Sequence, residues 1–217
     1  MIKTVFFDFN GTIINDVDLC LNILNKMLED DGKSPITKER YLDIFCFPIK
    51  SYYELAGFDF TKKSFEELSV DFINMYQKAS LNCSLYPGVK QVLSDLKMNG
   101  YRLVLLSASQ IDNLKEQVSH FKLDHLFDNV LGINDIFARS KVDVGLNFIL
   151  ENNINPTTCL MFGDTLHDKE VAQKLGMKIA LFSKGHQSKR VLSKANEVIL
   201  DSYEELERLI LDDEKNN

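Results

Sequence analysis

From Arg102 to Leu200 the chain alternates apolar runs of strand length with stretches whose apolar residues recur at helical spacing. The runs are Arg102–Leu106, Asn129–Gly132, Thr158–Phe162, Met177–Phe182 and Glu197–Leu200. Such alternation predicts a parallel sheet, because each crossover helix must cover a sheet face. A sixth run, Thr4–Phe7, stands alone near the start. The expected fold class is α/β: a three-layer, Rossmann-like core with helices on both faces. Helices are expected from Val89 to Leu96 with a stop at Asn99-Gly100, from Ile111 to His120, and from Val142 to Glu151. Two more are expected from Lys169 to Leu175 and after Ser202-x-x-Glu205. The final DDEKNN is expected to fray.

About seventy helix-rich residues separate the first strand from this regular part. Val17, Cys20, Leu21, Leu24 and Leu28 mark one helical face, with Asn15 or Asp16 as its cap. Thr37 to Phe45 reads as a second helix broken by Pro48, and Ser64-x-x-Glu67 opens another. The division this implies is a core of residues 1–14 and 85–217 with an inserted helical cap of residues 15–84.

Charge narrows the partners. The chain has 25 Lys+Arg against 32 Asp+Glu in 217 residues, a formal charge of −7. That balance argues against nucleic-acid and membrane-surface binding, which favour basic patches. A phosphorylated small molecule stays compatible, since a local cation overrides a global field. Cys20, Cys46, Cys83 and Cys159 form no C-x-x-C pair, so they are expected to be reduced and mostly buried. The N-terminus reaches Asp8 after three consecutive apolar residues and reads as neither a signal nor a span, so a cytoplasmic protein is expected.

In an open parallel sheet, ligands bind beyond the carboxyl ends of the strands. The first strand ends at Asp8-Phe9-Asn10-Gly11-Thr12, the second at Ser107, and the fourth at Gly163-Asp164-Thr165-Leu166-His167-Asp168. Lys141 opens the helix between the third and fourth strands. Adjacent carboxylates repel unless a cation joins them, and an all-oxygen set with room for water favours Mg²⁺. Serine and lysine beside such a metal make a phosphoryl pocket. Simpler roles stay open: a turn for Asp8, a helix N-cap for Ser107, a solvated lysine at 141, a dipole-complementing acid at 168.

In order and spacing these four motifs resemble the haloacid dehalogenase superfamily, on its phosphatase side, near the branch with helical caps that contains phosphoglycolate phosphatases. The resemblance spans nearly the whole chain, although the proline that usually follows the motif lysine is missing after Lys141. It implies an aspartyl phosphate on Asp8, with Ser107, Lys141 and backbone N–H groups near Phe9, Asn10 and Ala108 holding the phosphoryl oxygens, and Gly11 and Thr12 among the substrate-binding residues. It implies Mg²⁺ on Asp8, the Asn10 carbonyl and Asp164, with Asp168 ligating directly or through water. The implied substrate is a small phosphorylated metabolite, and the implied protein a monomer or small homo-oligomer.

Position 10 departs from the pattern. Phosphatases of the family carry an Asp there, which protonates the leaving oxygen and later activates water; an amide does neither. The loss should be mild for acyl and aryl phosphates, and Asn10→Asp is expected to raise turnover. A second reading follows: a weakened relative that binds a phosphorylated ligand as a sensor. His167 and His186 are candidate replacements, although surface or supporting positions suit both. Phe45 to Ser51 reads as a specificity loop with Lys50 directed at a substrate anion, or as a plain loop with an exposed lysine.

Overall fold

The computed structural model describes residues 1–133 and 140–215. Strand β1 (Thr4–Phe7) is buried along its whole length. It lies between β4 (Arg102–Gln110) and β6 (Cys159–Gly163), beyond which come β5 (Asn129–Ile133), β7 (Lys178–Phe182) and β8 (Val198–Leu200). The order is β5-β4-β1-β6-β7-β8, every pair parallel. The expected α/β sheet is therefore present. Chain direction across the sheet reverses around β1, which places the crevice of a doubly wound sheet at its carboxyl end.

The period of two along β1 sorts its side chains between two cores. Val5 and Phe7 face α5 (Val89–Met98), α6 (Ile111–His120) and α10 (Tyr203–Lys215), packing with Val92, Leu96, Leu114, Leu206 and Ile210. Phe6 faces the opposite layer of α7 (Lys141–Glu151) and α8 (Leu166–Leu175), where it meets the Phe148 ring edge-on at 6.1 Å.

A two-residue antiparallel ribbon, β2 (Ile14–Asn15) with β3 (Ser84–Leu85), pairs Ile14 with Leu85 and Asn15 with Ser84. Between its strands run α1 (Val17–Asp30), α2 (Lys38–Ile44), α3 (Ile49–Ala56) and α4 (Phe65–Ser80). These helices enclose their own apolar cluster, including Leu24, Leu28, Tyr41, Tyr52, Phe58 and Leu68. Ser64 and Glu67 form the expected capping box at α4.

Several local expectations are corrected. Ile49–Ser51, expected as the end of a loop, opens the helix Ile49–Ala56, because the residues after Pro48 bury Tyr52, Tyr53 and Ala56 on one face. β4 runs past Ser107 to Gln110 with an irregular register after Leu106, so Ser107 does not cap α6; Gln110 does. α8 begins at Leu166, three residues before Lys169, because Thr165 and Asp168 form a capping box. Ser202 accepts the Glu205 N–H, but the Glu205 carboxylate takes the Asp201 N–H instead of closing the box. α10 continues to Lys215, where Ile2 N–H and Lys178 bind Asp213, and Asn216 and Asn217 lie outside the described residues. All four cysteines are free, with Cys20 and Cys159 buried and Cys46 and Cys83 partly exposed. Among the described residues no helix is long and apolar enough to cross a membrane.

Candidate active site

Asp8 follows β1 directly, and its N–H donates to the Phe162 carbonyl of β6, which ties it to the neighbouring strand end. The chain then turns tightly through Gly11 at φ +69°. A Cβ at Gly11 would sit 2.3 Å from an Asp164 oxygen and 2.5 Å from the His186 ring, so both space and backbone angle require glycine there. The neighbouring Thr12 hydroxyl donates to Asp164 at 3.0 Å.

Lys141, the first residue of α7, is 3% exposed. Its ammonium contacts the Asp8 carboxylate closely and lies 2.7 Å from Asp168. A solvated lysine is thereby ruled out. The second oxygen of Asp168 accepts the Thr165 N–H and hydroxyl at 3.0 and 2.7 Å. Asp168 thus does more than complement a helix dipole: it fixes Lys141 and starts α8. Asp164 is fully buried at the end of β6, and its other oxygen accepts the His186 N–H at 2.6 Å. One oxygen from each of Asp8, Asp164 and Asp168 falls within 4.8 Å of the others.

Three carboxylates face one lysine, and their proton affinities reflect the imbalance. Burial, only partly offset by Lys141 and augmented by Asp168 and Asp164, pushes Asp8 up to about 8. Burial also raises Asp164, to about 6, against the pull of His186. Asp168 is buried too, but Lys141 outweighs that cost and holds its carboxyl below the usual range. Burial opposes charge on Lys141, yet Asp168 and Asp8 raise it.

Ser107 and Ser109 lie in β4 where its register with β5 is irregular. The Ser107 hydroxyl donates to Ser109 at 3.1 Å, and Ser109 donates to the Asn10 side-chain oxygen at 3.1 Å. The Asn10 amide nitrogen donates to Asp16 at 2.9 Å and to the Tyr76 hydroxyl at 2.6 Å, while Tyr76 donates to the same Asp16 oxygen at 2.6 Å. Asp16 is the single residue between β2 and α1. It occupies the N-cap position of α1 without capping it, because its carboxylate turns to the site and accepts the Gly11 N–H at 2.9 Å. Asn10 is therefore the donor that a neighbouring buried carboxylate requires.

His186 lies behind this group, 4% exposed, with Nε2 3.2 Å from Asp16 and Nδ1 2.8 Å from the Tyr41 hydroxyl. Burial works against its charge, but Asp16, then Asp164 and Asp8, hold it up at about 9. Burial alone would raise Asp16; the His186 charge and the Tyr76 and Asn10 hydrogen bonds bring it below its ordinary value. A surface place for His186 is excluded. His167 is half-buried and stacks on Phe47 with centroids 4.3 Å apart, and burial lowers its proton affinity.

A cavity of about 430 Å³ opens over Asp8, between the sheet rim and the four helices. Asp8, Asn10, Ser107, Ala108, Lys141, Asp164, Asp168, His167 and His186 all line it. Lys50 does not: it sits in the first turn of α3 with its ammonium 5.5 Å from the Phe60 ring centroid. The sequence reading missed Asp16, Tyr76 and Ser109. Only Asp16 left a trace, as an acid within a turn's reach of the Asp8 motif; the others arrive from α4 and from the irregular part of β4.

The fold and this geometry meet the comparisons with known proteins. The family model for haloacid dehalogenase-like hydrolases matches residues 5–182. A phosphoglycolate phosphatase of Aliivibrio fischeri is 25% identical over 216 residues, covering 94% of this chain and 95% of its own. One from Cereibacter sphaeroides is 25% identical over 212 residues, covering 95% and 96%. The structure of a haloacid dehalogenase-like family protein from Streptococcus pneumoniae superposes with a TM-score of 0.80 at 17% identity, covering 94% of this chain and 96% of that one. The chain belongs to the haloacid dehalogenase-like hydrolase family.

Proposed function

We propose that the protein is a Mg²⁺-dependent phosphohydrolase that works on a small phosphorylated metabolite through an aspartyl phosphate on Asp8. One observation carries this reading: the Asp8 carboxylate stands at the mouth of the central strand, against a buried lysine and two further buried carboxylates. The similarity to phosphoglycolate phosphatases supports the reaction type. The division into a core of residues 1–14 and 85–217 and a cap of residues 15–84, joined at the β2–β3 ribbon, belongs to the same reading. So do a cytoplasmic location and a monomer or small homo-oligomer.

The donor set fits a hard divalent cation. Its side-chain donors are oxygens, and burial, reinforced by the neighbouring carboxylates, holds the proton affinities of Asp8 and Asp164 well above the usual carboxylate range. Asp8, the Asn10 carbonyl and Asp164 would hold Mg²⁺. Both oxygens of Asp168 are already engaged, which favours a role through water. The ion would neutralise charge shared by the carboxylates and the phosphoryl oxygens.

This chain's own residues do the rest. Asp8 forms the bond to phosphorus as the bond to the leaving oxygen breaks, and that oxygen departs with the electron pair. Lys141 and Ser107 hold phosphoryl oxygens as negative charge builds on them. Water then attacks the aspartyl phosphate, freeing phosphate and the Asp8 carboxylate. Asn10 supplies no proton to either half-reaction. The test is hydrolysis of acetyl phosphate and p-nitrophenyl phosphate with Mg²⁺ and with excess EDTA. Activity should require Mg²⁺, vanish in Asp8→Asn, and show a burst as the covalent intermediate accumulates. Tight binding of phosphate esters with no turnover would favour the sensor reading instead.

A further inference from the structure

We propose that the substrate's leaving group is an uncharged aromatic alcohol, a phenol, seated in the cavity between α3, α4 and the sheet rim; this rests on the phosphohydrolase reading above. Two independent features point there.

The first is the wall. Phe45, Phe47, Tyr52, Phe65, Phe72 and Tyr76 face the space above Asp8. Aromatic side chains pair with aromatic ligands through offset and edge contacts, with large buried area. The volume of about 430 Å³ is that of a small-molecule site. Charge points the same way. Among the described lining residues Lys141 is the one lysine or arginine, and it is engaged by Asp8 and Asp168. His186 is held by Asp16, and Lys50 lies over Phe60 outside the cavity. Four carboxylates, Asp8, Asp16, Asp164 and Asp168, line the same space. Among the described residues, a leaving group with its own carboxylate, as in phosphoglycolate, meets no free cation beside these acids.

The second feature is Asn10, whose amide is committed to Asp16 and Tyr76 and cannot protonate a departing oxygen. An alkoxide, close to hydroxide in basicity, needs that proton. A phenolate, whose acid has a pKa near 10, leaves without it. As Asp8 bonds to phosphorus, the phenolate departs with the electron pair and takes its proton from bulk water. A second water then attacks phosphorus, giving inorganic phosphate and regenerating Asp8.

The experiment separates wall from chemistry. With Mg²⁺, kcat/KM is measured for acetyl phosphate, phenyl phosphate, 4-carboxyphenyl phosphate and phosphoglycolate. Phenyl phosphate should exceed 4-carboxyphenyl phosphate, a similar leaving group with an added charge, by at least about tenfold, mostly through KM, and should exceed phosphoglycolate by more. Ile73→Arg places a cation on the α4 face of the cavity at a half-exposed position. It should shrink the phenyl to 4-carboxyphenyl ratio at least about fivefold. Ser69→Lys, one helical turn earlier on the same face, repeats the test if Ile73→Arg does not fold. Equal or better use of the carboxylated esters by the wild type overturns the proposal. So does a ratio unmoved by a folded variant. Turnover of phosphoglycolate alone overturns the substrate class but leaves the phosphohydrolase standing, whereas no turnover of any of the four compounds, acetyl phosphate included, removes both.

Discussion

At position 10 the side-chain amide holds three neighbours at once, Asp16, Tyr76 and Ser109. Asn10 donates to Asp16 and to Tyr76, and Asp16 is buried with His186 as its counter-charge. The motif alone predicts that Asn10→Asp rescues turnover. Its surroundings add a cost, since the variant loses both donations and sets two buried carboxylates against each other. We therefore expect Asn10→Asp to lose about 1–3 kcal/mol of stability in urea melts, the penalty of unsatisfied buried groups. Its catalytic gain should appear fully only with Asp16→Asn, which restores a donor–acceptor pair. The double variant should abolish the burst with p-nitrophenyl phosphate and raise steady turnover at least about tenfold. A stable single variant with full gain would show that Asp16 carries no charge there.

Between elements, the helical layer is bonded to the sheet rim on two sides. Ser188 donates its N–H to the Leu42 carbonyl at 2.9 Å and its hydroxyl to Asp43 at 2.6 Å. Gln187 accepts the Leu166 N–H at the start of α8 and donates to the Phe45 carbonyl, both at 2.7 Å. On the other side Gln77 donates to Asn113, and Gln117 to Ser80. Gln187 is 3% exposed and ties the end of α2 to the start of α8, between Asp164 and Asp168. Gln187→Ala leaves two partly buried backbone groups without their partner, at about 1 kcal/mol. Amide exchange should accelerate at Phe45–Phe47 and at Leu166, with less change in β1. Unaltered protection at both places would show that Gln187 is not the clasp.

Across the whole molecule, the carboxylate cluster links stability to pH and to metal. The folded values of Asp8 and Asp164, about 8 and about 6, lie above their unfolded 3.8. The native state then binds more protons than the unfolded chain across that interval, so stability falls as pH rises from about 4 to about 8. His186, at about 9 against 6.5, contributes stability that is fully present below 6.5 and lost as pH rises toward 9. Asp168 and Asp16, both lowered, contribute above 3.8 and lose it at more acidic pH. In EDTA the melting temperature should be highest near pH 5 and fall by pH 8.5. Millimolar Mg²⁺ should raise it more at pH 8.5 than at pH 5, because at low pH protons compete for Asp8 and Asp164. At roughly 2–4 °C per kcal/mol for a chain of this size, the difference is readable by calorimetry. A Mg²⁺ effect equal at both pH values would separate the ion from these carboxylates.

The order of elements was legible in the chain because it rests on local rules. Short apolar runs, Ser64-x-x-Glu67 and Asn99-Gly100 act within a few residues, and the sheet and most helices lie where they point. The motif residues were legible for a related reason: a doubly wound sheet brings every strand end to one rim, so Asp8, Lys141, Asp164 and Asp168 meet in any chain with this strand order. Tertiary structure alone decided the rest. Tyr76 comes from 60 positions beyond Asp16 in the chain and His186 from 170 positions, and no spacing rule joins residues whose contact depends on how one packed layer seats on another. Lys50 makes the same point in reverse. Its sequence neighbourhood suggested a loop over the site, but burial of Tyr52, Tyr53 and Ala56 wound the segment into α3 and turned the ammonium to Phe60. Local chemistry specified the elements and the reacting rim; packing between layers chose the aromatic wall, the partner of Asn10 and the charge of the cavity.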